Sequence, residues 1–263
     1  MMSQDSVDVA ERLSLTDRIW LFLDYDGTLA DFAPTPEHVL PDPDLVALLT
    51  RLAKAPRLRV AVVSGRRLSH VLRLVPVPGI LLAGTYGIEL LTPEGERIDR
   101  LEYGTIRPTL EMLKPQWADL IAGREGFFLE DKGWALALHA RFAKPHESDR
   151  ILAEAGRMAV EGSGGEASDL FRLVGGHKFL EIGPQLANKG RTVEYILAQY
   201  PWPGSLPVYL GDDDKDEEAF ATIKAQGGCA IVVAPEPRET RADMRLPSTQ
   251  AARRWLADLL QRS

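Results

Sequence analysis

Short apolar runs, each stopping at a turn or a polar residue, alternate along the chain with stretches whose apolar positions recur every three or four residues. The strand-like runs are "IWLFLDYD" from Ile19, "RLRVAVVSGR" with its stop at Ser64-Gly65, "ILLAGTYGIELL", "LPVYLGDDD" and "CAIVVA". Between them, "PDLVALLTRLAK" from Pro43 places Leu45, Leu48, Leu49 and Leu52 at helical spacing. "NKGRTVEYILAQY" predicts a helix between Asn188 and Tyr200, and "STQAARRWLADLLQR" an amphipathic one with Ser248 or Thr249 as N-cap. Buried strands alternating with helices predict an α/β fold: a Rossmann-like parallel-sheet core with helices on both faces.

The middle of the chain follows another rhythm. "RPTLEMLKPQWADLIAG" reads as a long helix that Pro115 interrupts or that starts there, and a second helix runs from His146 to Val160. Leu136, Leu138 and Ala140 alternate with Ala135, Ala137 and His139, as in a half-buried antiparallel strand; Phe179, Leu180 and Ile182 continue the strand-rich character. This predicts an inserted α+β cap over residues 105–184, with the core formed by 1–104 and 185–263. The polar, Pro-rich "DFAPTPEHVLPDP" and the Gly-rich "EGSGGEASD" read as loops.

Composition narrows the possibilities without deciding among them. The 263 residues are 45% hydrophobic and 26% charged, ordinary for a globular chain able to bury a sizeable core. A net charge of −7 with no basic cluster argues against a nucleic-acid partner. The single cysteine, Cys229, excludes an intramolecular disulfide, and no run approaches the about 20 apolar residues that span a bilayer. With an acidic N-terminal stretch lacking a signal-peptide core, a cytoplasmic protein without a membrane partner is expected. Oligomeric state leaves no trace in the sequence.

Four strand or helix ends carry chemically capable residues, and ligands of open parallel sheets bind beyond the carboxyl ends of the strands. In "DYDGT", Asp24 and Asp26 sit where an apolar run stops. A strand-end turn explains Asp and Gly there; a carboxylate pair sharing a divalent cation, with one oxygen free to attack phosphorus, explains the doublet. "GDDDKDEEAF" holds more acids than a helix start needs for capping, and hard oxygen donors without His or Cys suit Mg²⁺. Neither stretch fits an EF-hand loop. "VVSGR" offers Ser64, Gly65 and Arg66, where a hydroxyl and backbone N–H groups suit phosphate oxygens. Lys189 opens a helix, where a cation is unfavourable unless it faces an anion.

In this order, "DYDGT", "VVSG", "NKG" and "GDDDKDEEAF" resemble the four motifs of the haloacid dehalogenase superfamily of phosphotransferases, across the whole chain. The resemblance implies that Asp24 is the nucleophile and forms an aspartyl-phosphate, with Asp26 as general acid and base. It implies Mg²⁺ held by Asp24, the Asp26 carbonyl and Asp212, supported by Asp213 and Asp216. Gly27, Thr28, Ser64, Gly65 and Lys189 would bind the phosphoryl group.

More narrowly, "LFLDYDGTLADF", "VVSGR", "LEDKGWALALHAR", "KFLEIGPQLANKG" and "GDDDKDEEAF" look like the trehalose-6-phosphate phosphatases, whose caps read the sugar. Glu130, Lys132, Lys178 and Glu181 match the family's sugar-contacting cap positions, and Arg66 and Tyr86 join them as expected substrate contacts. Tyr86 is a departure: "AGTYGIEL" has Tyr where the family usually carries His in a Gly-x-His-Gly-like turn. The expected activity is hydrolysis of a small sugar phosphate, with trehalose 6-phosphate first and mannosyl- or glucosyl-3-phosphoglycerate as the alternative. Phosphoryl transfer to a second hydroxyl would use the same motifs. A phosphoryl-receiver domain gathers similar residues, but the D-x-D doublet and the insert argue against it.

Overall fold

A computed structural model describes residues 4–31, 40–164, 169–176 and 178–261. Most of the Pro-rich segment and the centre of the Gly-rich loop lie outside these residues. Two compact units result, one from residues 1–100 with 188–263 and the other from residues 101–187.

The first unit is built on an eight-stranded sheet. Its strands are β1 (Ile19–Leu23), β2 (Leu58–Val63), β3 (Leu81–Gly84), β4 (Glu89–Leu91), β5 (Arg97–Asp99), β10 (Leu206–Gly211), β11 (Cys229–Val233) and β12 (Met244–Leu246). Their spatial order is β12-β11-β10-β1-β2-β3-β4-β5. All pairs from β12 to β3 are parallel, and β4 and β5 add an antiparallel edge.

Strand alternation explains why both faces are covered. On β1, Ile19, Leu21 and Leu23 enter one apolar cluster, which also takes residues of α1 (Gln4–Ser14), α2 (Pro43–Lys54), α3 (Leu68–Leu74) and α8 (Thr249–Gln261). Trp20 and Phe22 enter a second cluster, shared with α6 (Lys189–Gln199) and α7 (Asp216–Ala225). With every β1 side chain buried, the strand has no polar position until it ends at Asp24. Local signals start the helices where the sequence predicts: Asp42 caps α2 ahead of Pro43, the Asn188 side chain accepts from Arg191 N, and Ser248 Oγ accepts from Ala251 N.

The run "ILLAGTYGIELL" departs from the sequence expectation of one strand. Thr85, Tyr86 and Gly87 all have positive φ (49°, 53° and 93°), so the chain reverses and β4 returns antiparallel to β3. Left-handed backbone at Thr and Tyr costs energy and persists only where the surroundings fix it. Glu89 does much of the fixing: its buried carboxylate accepts from Leu68 N at 3.1 Å, Thr85 Oγ1 at 3.0 Å and Arg97 at 2.9 Å.

The second unit is a four-stranded antiparallel sheet, β6 (Phe128–Asp131), β7 (Leu136–His139), β9 (Phe179–Pro184) and β8 (Phe171–Gly176) in spatial order. Helices α4 (Tyr103–Ile121) and α5 (Pro145–Gly162) pack on the sheet and on each other through Ile106, Leu110, Leu113, Trp117, Ile151 and Ala155. The helix α4 runs on through Pro115, where the sequence suggests a break. Pro115 and Glu111 are both exposed, so the carbonyl that Pro115 leaves without a donor can be met by water. Among the described residues, no helix is long and apolar enough to cross a membrane.

Candidate active site

The carboxyl end of β1 and the loops beside it gather most of the polar residues singled out from the first unit's sequence. Asp24 continues the strand, its N–H donating to Leu210 O, and the residue is 4% exposed. The chain then turns through Gly27, whose φ of 79° favours glycine. Any Cβ at Gly27 would overlap the Asp212 carboxylate, so this glycine also admits the acidic loop that follows β10. Thr28 Oγ1 lies 3.5 Å from Asp24 Oδ2 and 3.3 Å from Asp212 Oδ1.

One buried cation organises the cluster. Lys189 Nζ sits 2.9 Å from Asp24 Oδ1 and 2.6 Å from Asp216 Oδ1. Burial would lower its pKa, but Asp216 and Asp24 outweigh burial and hold the ammonium firmly charged. Asp216 is fully buried and takes four donors: Lys189 and the Tyr209 hydroxyl on Oδ1, and the N–H groups of Asp212 and Asp213 on Oδ2. Those donors fill its lone pairs, so Asp216 braces the loop. Asp213 Oδ1 accepts from Lys215 N and Asp216 N and starts α7.

The three carboxylates of Asp24, Asp212 and Asp216 place one oxygen each within 4.8 Å of one another. Burial, together with Asp212 and Asp213, pushes the Asp24 pKa up to about 8 against the pull of Lys189. Burial, together with Asp216 and Asp213, pushes Asp212 up to about 7. Crowded, under-neutralised carboxylates with all-oxygen donors are what a divalent cation relieves, and this donor set fits one. With Asp216 filled, Asp24 and Asp212 are the carboxylates available to such an ion.

Asp26 is held differently. Both of its oxygens accept from Arg66, Nε and Nη2 each at 2.6 Å, a planar two-point clamp. Ser64, at the end of β2, is buried, and its Oγ accepts from Arg66 N at 3.1 Å. The Tyr86 ring lies over Gly65, and the Tyr86 hydroxyl accepts from Lys215 Nζ at 2.7 Å.

In the second unit, strand pairing sets Glu130, Ala137, Glu181 and Val174 in one row across the four strands. Lys132 Nζ donates to Glu181 Oε2 at 2.6 Å and lies 4.0 Å from Glu130, which also meets His139 at 3.0 Å. His139 in turn packs between Phe128 and Phe179. Lys178 stands apart from this group. It occupies a left-handed turn (φ 56°), and its ammonium donates to Ala143 O at 2.6 Å. It precedes β9, so the alternation of that strand does not place it on the Glu181 face.

Residues 22–250 match the model of the family described as "Trehalose-phosphatase". The chain belongs to the trehalose-phosphatase family. A Sinorhizobium fredii protein described as "Probable trehalose-phosphate phosphatase" is 34% identical over 239 residues, covering 91% of this chain and 86% of that protein. A Mycobacterium avium trehalose-phosphate phosphatase is 35% identical over 208 residues, covering 78% of this chain and 51% of that protein. The chain thus spans about half the length of such mycobacterial relatives. The fold is shared with a Candida albicans trehalose-6-phosphate phosphatase C-terminal domain, at TM-score 0.83 and 18% identity over 99% of this chain and 97% of that one.

Within this trehalose-phosphatase chain, two groups escape a motif reading. Lys215 sits inside an acidic run, where a lysine looks like a solvated counter-charge; only the left-handed turn brings it to Tyr86, 129 residues away in sequence. His139, Phe128 and Phe179 share the Glu130–Glu181 face, and the even spacing of strand positions was the available signal for that grouping.

Proposed function

We propose that this chain hydrolyses trehalose 6-phosphate to trehalose and phosphate, with Asp24 as nucleophile and Mg²⁺ as the divalent cation. The observation that carries this reading is a buried Asp24 held between Lys189 and Asp212, with a second carboxylate two residues on. Asp24, Asp212 and the Asp26 carbonyl would hold the cation, supported by Asp213 and Asp216. When bound, it supplies charge neutralisation and polarises a phosphoryl oxygen.

Lys189, Ser64 and the backbone around Gly27, Thr28 and Gly65 orient the phosphoryl group against Asp24. The Asp24 oxygen attacks phosphorus, the P–O bond to the sugar breaks, and Asp26 protonates the departing sugar oxygen. Asp26 then takes a proton from water, which attacks phosphorus and releases inorganic phosphate from Asp24. Both Asp26 oxygens accept from Arg66, so the sugar oxygen must compete with Arg66 for this carboxyl; an arriving substrate anion offers Arg66 an alternative partner.

Glu130, Lys132 and Glu181 form the sugar-reading set of the second unit, carboxylates accepting from hydroxyls and the ammonium donating. Lys178 is proposed as a sugar contact on motif position alone. Tyr86 takes the place of the family's His. The test is phosphate release from trehalose 6-phosphate, sucrose 6-phosphate, mannosyl- and glucosyl-3-phosphoglycerate and simple hexose phosphates, without an acceptor. Highest kcat/KM on trehalose 6-phosphate is expected; preference for another substrate would overturn the assignment.

A further inference from the structure

The Tyr86–Lys215 pair joins two loops of the first unit at the place where this chain departs from its family. Every part of Tyr86 is fixed. Its N–H donates to Ser64 O at 2.9 Å, its carbonyl accepts from Thr192 Oγ1 at 2.7 Å, and Thr85 N donates to Arg66 O at 2.7 Å. The ring can lie over the Ser64-Gly65 turn only because residue 65 has no side chain: a Cβ there would come within 2.7 Å of the ring and 2.8 Å of the hydroxyl. From the other side, Lys215 leaves the acidic loop with its N–H on Asp213 Oδ1, and its ammonium lies 5.0 Å from the Tyr86 ring centre.

The hydrogen-bonding capacities of the two groups then fix a direction. An ammonium only donates, whereas a phenol has one proton and can also accept. Because Lys215 fills an acceptor position of the Tyr86 oxygen, the phenol proton must find its acceptor elsewhere. Among the described residues no acceptor takes it. The hydrogen bond accepted from an ammonium also polarises the hydroxyl and strengthens it as a donor. Ser64 and Lys189 already serve the transferring phosphoryl group, so this donor is left for the remainder of the substrate.

We propose that Lys215 is a specificity-determining positioning residue: its ammonium sets the Tyr86 hydroxyl to donate its proton to a hydroxyl oxygen of the sugar. The assignment rests on the sugar-phosphatase reading above and deepens it. A lysine in the acidic loop and a tyrosine in the turn after β3 act as one unit, and neither suffices alone.

A double-mutant cycle tests this, using Tyr86→Phe, Lys215→Met and the double variant, with Lys215→Arg as the rescue. Kinetics are measured on the best sugar phosphate of the panel and on p-nitrophenyl phosphate, which has no sugar. Each single variant should raise KM for the sugar phosphate about tenfold, the size of one charge-assisted hydrogen bond, and at least about fivefold more than for p-nitrophenyl phosphate. The double variant should lose little beyond either single one, and Lys215→Arg should recover most of the loss.

Multiplying losses in the double variant, equal losses on both substrates or no loss from Tyr86→Phe would each overturn the proposal. If Lys215→Met fails to fold, Tyr86→Phe and Lys215→Arg still decide it, since the ring and the charge are kept. Wild-type turnover separates this inference from the reading beneath it. Preference for a different sugar phosphate would sink the trehalose assignment while leaving the cycle measurable, and absence of any sugar-phosphate turnover would sink both.

Discussion

The two units handle charge in opposite ways. Around Asp24, buried carboxylates outnumber the cations that reach them, and Asp24 and Asp212 are driven up to about 8 and about 7. In the second unit the comparable carboxylate, Asp131, accepts from both arms of Arg107 at 2.7 Å and from Lys114 at 2.9 Å. Arg107 above all holds it well below the ordinary carboxylate range. The first arrangement stores unfavourable electrostatics that a cation and an incoming phosphate ester can relieve; the second spends its charges on bracing a turn. The groups proposed as catalytic sit where neutralisation is incomplete, and the bracing groups where it is complete.

The sharpest way to break this comparison is Asp24→Asn. Turnover on every phosphate ester should fall by on the order of a thousandfold or more, while circular dichroism stays native. Residual cation-dependent activity near wild type would remove Asp24 as nucleophile. Next in size, Glu181→Gln should raise KM for the preferred sugar phosphate about tenfold or more, with a smaller change on p-nitrophenyl phosphate. Equal losses on the two substrates would mean that Glu181 only anchors Lys132.

The smallest effect concerns pH, and the two units should respond with opposite signs. In chelator-treated protein, raised folded-state pKa values make the native state bind more protons than the unfolded chain between about pH 4 and 8. Stability from the Asp24 cluster is therefore lost as pH rises through that window, and thermal melting should show it as a falling midpoint. A divalent cation should restore the midpoint by a few degrees at about pH 8 and by less at about pH 5. Asp131 is depressed, so its contribution is present above the ordinary carboxylate pKa and lost only on further acidification; Arg107→Gln should remove that acid limb alone. A metal-free midpoint that climbs toward pH 8 would contradict the crowding.

Much of the first unit was legible because the same residues carry fold and chemistry. An apolar run that must stop at a buried strand end leaves Asp24 there, and Asn188 caps the helix that presents Lys189. The resemblance placed a turn at Tyr86, but its left-handed backbone was not legible, because nothing local marks Thr and Tyr for it. Their conformation is imposed by Glu89, Leu68 and Arg97, which are distant or unremarkable in sequence. Lys215 was missed for the same reason, since its partner arrives only through that reversal. Lys178 was grouped with Glu181 by motif proximity, although its turn backbone and its hydrogen bond to Ala143 O set it apart.

The alignment of Glu130, Ala137, Glu181 and Val174 in one row has a consequence for how this sheet can change over time. Leu136, Leu138, Leu180 and Ile182 belong to the opposite parity, and their strands, β7 and β9, are packed by α4 and α5. Substitutions at the partly exposed row positions, Glu130 and Val174, can therefore vary without disturbing the apolar packing, whereas Ala137 and Glu181 are buried and tolerate less. Loss of a single residue from β9 would exchange the two faces, sending Glu181 toward the helices and an apolar neighbour outward. This sheet is thus open to replacement at its partly exposed row positions and closed to insertion or deletion within the strands.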